Sequence, residues 1–326
     1  MRIAVLDDYG DAFRQMPDFA RLGEHAVSIY RDTVKGDALV ARLQDAEVVV
    51  LTQQRTLLPR ELIEKLPNLR LIAQTGSHRD HIDVATCTAK GIAISAGGGG
   101  LSHSTAELTW GLIFAAVRHI PFEVASFRAG SWQSTIGSEL HGKTMGVYGL
   151  GRIGGSVARV AQAFGLKVIC WGRENTQKLA REAGYEVPAS RQEFFASADI
   201  LSLHLHFVEE TRGIIKAADL DCMKPTSLLV NTSRAALIED GALVAALRKG
   251  CPGFAAIDVY EEEPVIGASH PLLALPNVLC TPHLGYAVRE KYMRFYGVAI
   301  DSILGFASGK PVNVINPDAL SARSKI

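Results

Sequence analysis

Neither sign of charge is in excess in this chain: Lys plus Arg and Asp plus Glu both number 34. Without a basic face for phosphate or anionic lipid, nucleic acid and membrane surfaces are excluded as expected partners. No apolar run reaches the length needed to cross a bilayer. The opening MRIAVLDDYG has one strand-length apolar run that ends in two acids, too short and too acidic for a secretory leader. Cysteine is sparse. The five (87, 170, 222, 251 and 280) are scattered, odd in number and lack a CxxC pair, so no disulfide framework or metal set is expected. Reduced thiols and a cytoplasmic location are the expectation. There is no low-complexity linker and no internal repeat, and a hydrophobic content of 48% excludes a disordered chain.

What is present is alternation. At 326 residues the chain is long for one core, so two domains are expected. RIAVL, VVVLT, LRLIAQ and IAIS read as buried parallel strands, and PRELIEKLP and HIDVATCTAKG read as helices between them. The four glycines of SAGGGG, residues 95–100, break this run and read as a hinge or loop. STAELTWGLIFAAVRHI follows as a helix, with Ser104 and Glu107 spaced as a capping box and Pro121 as its stop. A second run has TMGVYG, KVICW, DILSLHL, SLLVNTS, GFAAIDVY and NVLCTP as strands. A long terminal helix after this run is expected to return to the first domain. The pattern implies an α/β protein with doubly wound parallel sheets.

GVYGLGRIGGSVARVAQAFGLKVICW places Gly149, Gly151 and Gly154 between a strand and a helix. Gly149 permits the tight turn, Gly151 lets a pyrophosphate approach the backbone, and Gly154 lets helix and strand pack closely. A nicotinamide dinucleotide is the expected cofactor. NAD recognition normally uses a carboxylate at the end of the next strand, accepting from the ribose diol. Here CWGRE puts Gly172 and Arg173 there. Gly172 leaves room for a 2′-phosphate and Arg173 offers a cationic fork, so we read NADPH over NADH. Glu174 stands one residue on and is the alternative ligand for a diol.

Arg234, Glu263 and His283 each follow a strand: SLLVNTS, FAAIDVYEE and NVLCTP. Singly, each reads as a polar loop residue. At successive strand ends on the side of the glycine turn, they suit one chemistry. An arginine fork holds a 2-oxo acid and polarises its carbonyl, a histidine gives or takes the alcohol proton, and a glutamate orients the imidazole. His204 and His206 share one strand face but have no third ligand nearby in sequence, so no metal site is expected.

Over its whole length the chain resembles the D-isomer-specific 2-hydroxyacid dehydrogenase family, through GLGRIG, LLVNTSRAALI, AAIDVYEEEP and TPHLGY. The resemblance implies a Rossmann-type dinucleotide-binding domain, a flavodoxin-like substrate domain and an active site in the cleft. The substrate domain would be discontinuous, residues 1–100 and 289–326, and the cofactor domain 101–288. Arg234 would bind substrate, His283 would be the acid/base and Glu263 its partner. Cofactor contacts would extend to Thr105, Arg152, Ile153 and Thr232, and Asp258 would meet the nicotinamide amide. Backbone N–H groups around Ser77 and His78 would hold the substrate carboxylate. A homodimer through the cofactor domain is implied as well. Departures from the pattern are Ala235 for a glycine, His78 for a second glycine and His206 for a proline. A second reading is a dinucleotide-sensing, corepressor-like binding protein without significant turnover, and assay with any 2-oxo acid separates the two.

Overall fold

A computed structural model describes residues 1–100 and 103–323. In chain order the first elements are β1 (Arg2–Val5), β2 (Ala26–Ile29), α1 (Asp37–Leu43), β3 (Val48–Leu51), α2 (Arg60–Ile63), β4 (Leu71–Thr75), α3 (Val84–Ala89) and β5 (Ala93–Gly97). Then come α4 (His103–Val117), α5 (Ile120–Arg128), β6 (Thr144–Tyr148), α6 (Arg152–Ala163), β7 (Lys167–Trp171), α7 (Glu174–Glu182), α8 (Arg191–Ser197), β8 (Ile200–Leu203), α9 (Ala217–Asp221), β9 (Leu228–Asn231), α10 (Ala242–Lys249), β10 (Phe254–Ile257) and β11 (Val278–Cys280). The chain closes with α11 (Arg289–Ala307) and α12 (Asp318–Arg323). Two compact units result, Met1–Leu101 with Ala287–Ile326, and Ser102–Tyr286. The expected boundary residue 101 and residues 324–326 of the expected terminal segment lie outside the described residues.

In the first unit the sheet order is β2-β1-β3-β4-β5, all parallel. This is the flavodoxin-like order, with its reversal between β1 and β3. Successive strand residues face opposite ways. Ile3, Val5, Val48 and Val50 pack on Tyr296, Ala299, Ile300 and Ile303 of α11. Ala4, Val49, Leu51 and Ile72 pack on Leu39, Leu43, Ile63 and Cys87 from the helices of the other layer. The long terminal helix therefore covers one face of the first sheet. β2 is absent from the strands read in the sequence. It is an edge strand whose residues are only half-buried or exposed, so it has no continuous apolar run.

The second unit holds a parallel sheet of order β11-β10-β9-β8-β6-β7. A parallel bridge between Ile169 and Glu186 adds a rudimentary seventh strand beyond β7. Met145, Val147, Val168 and Val230 pack on Trp110 and Ile113 of α4 and Val157, Ala158 and Ala161 of α6. Ile169, Leu201, Leu229 and Ile257 pack on Phe194, Phe195, Leu220, Leu243 and Leu247. Both faces are covered, which is why these strands read as unbroken apolar runs. The chain order reverses where β6 meets β7 on one side and β8 on the other, and ligands of such sheets bind at that point.

Two details of the expected α4 differ. Ser104 lies inside the helix, and its hydroxyl donates to Gly285 O at 2.9 Å instead of capping. Pro121 sits in the first turn of α5, where its missing N–H costs nothing, after a left-handed His119 has ended the first helix.

Two histidines tie the fold to pH. His81 is buried with Nε2 at 3.0 Å from Gln74 Oε1, and its Nδ1 has no partner among the described residues. Burial pushes its pKa from 6.5 to about 4. His204 is likewise pushed down to about 4 by burial, with Nε2 at 2.8 Å from Ser202 Oγ. Both are neutral when folded, whereas the unfolded chain takes up protons below its ordinary histidine pKa of 6.5. The stability these two histidines contribute is therefore fully present above that pH and is lost as pH drops towards about 4. Calorimetric melting across this range should show the decline, and His81→Gln should reduce its slope. A slope equal to wild type would refute the role of His81.

Candidate active site

The glycine turn leaves β6 at Tyr148. Gly149 has φ +93°, and a Cβ built on it would lie 2.8 Å from His204 O, at the end of β8. A Cβ on Gly154 would lie 2.1 Å from Gly149 O, so α6 can approach the strand end only through glycine. A Cβ on Gly151 would meet nothing within 4 Å, and no side chain caps the helix that Gly151 opens. Among the described residues the N–H groups of Arg152 and Ile153 in the first turn of α6 have no acceptor, and the space beside Gly151 is open. The backbone of this turn fits a dinucleotide pyrophosphate by shape and by the sign of the helix end. At the end of β7, Gly172 is half-buried and Arg173 is exposed as the N-cap of α7; the room expected at Gly172 for a 2′-phosphate is already filled by the Thr176 side chain, whose Cβ and Cγ2 would lie 2.8 Å from a Cβ built on Gly172.

His283 follows β11 with φ +53°, a left-handed conformation that costs a non-glycine residue energy. Its Nδ1 lies 2.5 Å from Glu263 Oε2. Glu263 Oε1 accepts the Tyr260 N–H at 3.0 Å, so both carboxylate oxygens are held. With Nδ1 bound to the carboxylate, Nε2 is the nitrogen left for a reactant.

Arg234 follows β9 in extended conformation. The Asn231 side chain clasps this turn, accepting from Ser233 N at 3.0 Å and donating to Arg234 O at 2.9 Å. The guanidinium is largely buried and donates through Nη1 to Ser233 O at 2.7 Å. Burial lowers its pKa from the ordinary arginine value, and the nearby Glu263 charge opposes this shift.

Asp258, at the end of β10, is fully buried. Its Oδ1 accepts from Thr281 Oγ1 at 2.6 Å and Leu284 N at 2.7 Å, and its Oδ2 accepts from Gly285 N at 2.9 Å. Burial raises the carboxyl pKa, and these three bonds pull it back. The carboxylate is thus built into the loop that carries His283, and with no exposed surface and both oxygens engaged it does not present the contact expected for the nicotinamide amide. Gly285 O in turn accepts from Ser104 and Thr105, both at 2.9 Å. Thr232 Oγ1 lies 2.8 Å from Thr109 Oγ1, which fixes the end of β9 to α4.

The structure thus joins Glu263 to His283, sets Arg234 within reach of the Glu263 charge, and connects Thr105 and Asp258 through Gly285. Ser77 and His78 stand in the other unit, just beyond β4, Ser77 exposed and His78 half-buried. Thr281 and Tyr260 were not singled out in the sequence. Thr281 lies inside the TPHLGY motif, two residues before the histidine, but its bond to Asp258 spans 23 residues and leaves no local pattern. No helix among the described residues is long and apolar enough to cross a membrane.

Residues 110–285 match the model of the D-isomer specific 2-hydroxyacid dehydrogenase NAD binding domain. The chain is 39% identical over 293 residues to the glyoxylate reductase of Aeropyrum pernix, covering 87% of this chain and 86% of that one. It is 38% identical over 283 residues to the D-3-phosphoglycerate dehydrogenase of Methanocaldococcus jannaschii, covering 86% of this chain and 53% of that relative. The crystal structure of an oxidoreductase from Ralstonia solanacearum superposes with a TM-score of 0.92 at 45% identity, over 98% of each chain.

Proposed function

The chain belongs to the D-isomer specific 2-hydroxyacid dehydrogenase family, a nicotinamide-dependent oxidoreductase acting on CH–OH donors, and we propose that it reduces a small 2-oxo acid with His283, Glu263 and Arg234 as its catalytic set. The observation that carries this reading is the 2.5 Å pair of His283 Nδ1 and Glu263 Oε2, with Arg234 close enough for Glu263 to shift its pKa.

The residues divide the work. The Arg234 fork anchors the substrate carboxylate and polarises the keto oxygen. His283, protonated on both nitrogens, gives the Nε2 proton to that oxygen as it becomes the alcohol. Glu263 steadies the charged imidazole, and the Tyr260 N–H fixes the carboxylate's direction. In the oxidative direction, neutral His283 takes the proton at Nε2. Hydride transfer to or from the substrate carbon is the chemistry that a nicotinamide would supply when bound. Asp258 holds the loop of residues 281–285 so that the His283 ring keeps its strained backbone position. Glyoxylate and hydroxypyruvate are the substrate sizes this reading favours, given the glyoxylate reductases and hydroxypyruvate reductase among the relatives. A panel of 2-oxo acids assayed with NADPH and NADH tests the reading; no turnover with any of them would reject it.

We propose NADPH as the preferred cofactor, because no carboxylate stands at position 172 and Arg173 offers a cation. The ratio of catalytic efficiencies with the two cofactors, wild type against Arg173→Ala, tests this. A strong NADH preference left unchanged by the substitution would reject it.

We also propose a homodimer formed through the second unit. α5 buries none of its residues, and Phe122, Phe127, Trp132 and Ile136 are 57%, 63%, 75% and 95% exposed. Phe127 and Trp132 meet edge to face with ring centroids 5.6 Å apart, forming an apolar surface suited to a second copy. The double substitution Phe127→Glu, Trp132→Glu should convert the dimer to monomer in sedimentation equilibrium. A monomeric wild type, or a variant dimer of unchanged Kd, would refute this interface.

A further inference from the structure

We infer that Thr176 is a specificity-determining residue for the dinucleotide, its hydroxyl binding the 2′-phosphate from the place where a diol-binding carboxylate would begin. The inference rests on the NADPH reading above and adds the residue that enforces it. β7 ends at Trp171, whose ring stacks on Phe194 at 6.2 Å. A Cβ built on the next residue, Gly172, would lie 2.8 Å from both Cβ and Cγ2 of Thr176 and 2.9 Å from its Oγ1. Real Cβ atoms do not approach other atoms so closely, so the Thr176 side chain fills the volume any side chain at 172 would need. An aspartate or glutamate there is barred unless the first turn of α7 moves.

That turn is held in place. Gln177 Nε2 donates to Gly172 O at 3.2 Å, and Gln177 N donates to Arg173 O at 3.1 Å. The Thr176 hydroxyl makes no hydrogen bond among the described residues, and Arg173 forms no ion pair among them. Both groups stand at the strand end where an adenosine ribose is recognised in such sheets. Together they offer one donor hydroxyl and one guanidinium fork, a combination suited to phosphate.

Glu174 does not restore a diol ligand. Two residues apart on a helix, Glu174 and Thr176 point about 200° from one another. With Thr176 turned to Gly172, Glu174 falls on the outer stripe with Lys178 and Glu182, which pair at 3.9 Å.

Equilibrium binding tests this without turnover. Calorimetric Kd values for NADPH, NADH, adenosine 2′,5′-bisphosphate and 5′-AMP are compared for wild type, Thr176→Val, Thr176→Ser and Arg173→Ala. Valine keeps the shape and removes the hydroxyl; serine keeps the hydroxyl. We expect wild type to prefer the bisphosphate over AMP. Thr176→Val should reduce that preference and the NADPH preference about tenfold, of the order of one hydrogen bond to a charged group. Thr176→Ser should retain both, and NADH affinity should stay within about twofold, which also reports an intact fold. Should Thr176→Val not fold, Thr176→Ala serves in its place. If Arg173→Ala loses the preference while Thr176→Val keeps it, the NADPH reading stands and the role of Thr176 is overturned. If wild type shows no preference for the 2′-phosphate, both fall together.

Discussion

Arg234→Ala should lower kcat/KM for 2-oxo acids by about three orders of magnitude, while cofactor affinity and melting temperature stay close to wild type. Removing a single preorganised donor from a charge-stabilising site typically costs about 10²–10³-fold. Arg234 is asked for two such contributions, a carboxylate anchor and a carbonyl polariser. The side chain is buried enough for its pKa to be lowered, so its charge acts where water screens it little. The same burial explains why stability should survive. A desolvated cation with one backbone acceptor, Ser233 O at 2.7 Å, contributes little net stability that alanine would forfeit. The turn itself is held by Asn231 through its bonds to Ser233 N and Arg234 O, which the substitution leaves intact. Arg234→Lys should also be poor, by about two orders of magnitude, because an ammonium cannot present two parallel N–H bonds. Steady-state kinetics on a correctly folded variant decides it. Near-normal efficiency in either would remove Arg234 from the mechanism.

The sheets were legible because both faces of each are covered. Val48, Val49, Val50 and Leu51 are all buried, and such a run reads as a strand without any structural knowledge. β2 was not legible for the converse reason, since an edge strand over residues 26–29 with half-exposed side chains carries no apolar run. The glycine turn could be read residue by residue, and the 2.1 Å between a Gly154 Cβ and Gly149 O supplies the physical cause. Local chemistry misled at Ser104. Its spacing to Glu107 suits a cap, but a tertiary acceptor, Gly285 O, lies 181 residues away and takes the hydroxyl. The same limit hid Thr176, whose meaning comes from touching Gly172, and Thr281, whose meaning comes from Asp258. Such partners are chosen by the fold, and a single sequence does not display them.

Asp258→Asn should reduce kcat about 100-fold with a much smaller change in substrate KM, and should lower the melting temperature. The carboxylate is fully buried and accepts three bonds, from Thr281 Oγ1, Leu284 N and Gly285 N. Asparagine keeps the shape but has only one acceptor oxygen. If its oxygen serves Thr281 and Leu284, its NH₂ faces the Gly285 N–H, donor against donor. Leaving a buried donor unsatisfied costs about 1–3 kcal/mol. The residue that bears the consequence is His283, between these anchors and already at φ +53°. A left-handed conformation is kept only where surrounding bonds over-determine it. Once Gly285 is released, the ring can leave the Glu263 carboxylate that holds Nδ1 at 2.5 Å, and Nε2 loses its aim. Small misplacements of a proton donor cost rate steeply. Substrate binding should be spared, because Arg234 belongs to a different turn, clasped by Asn231. The split between kcat and KM therefore distinguishes a positioning role from general loosening, which would raise KM and weaken cofactor binding together. Asp258→Ala, which keeps neither shape nor acceptor, should lose at least as much kcat as the asparagine variant. A folded Asp258→Asn enzyme with wild-type kcat, or a fall in melting temperature with kinetics unchanged, would show that the carboxylate does not position His283.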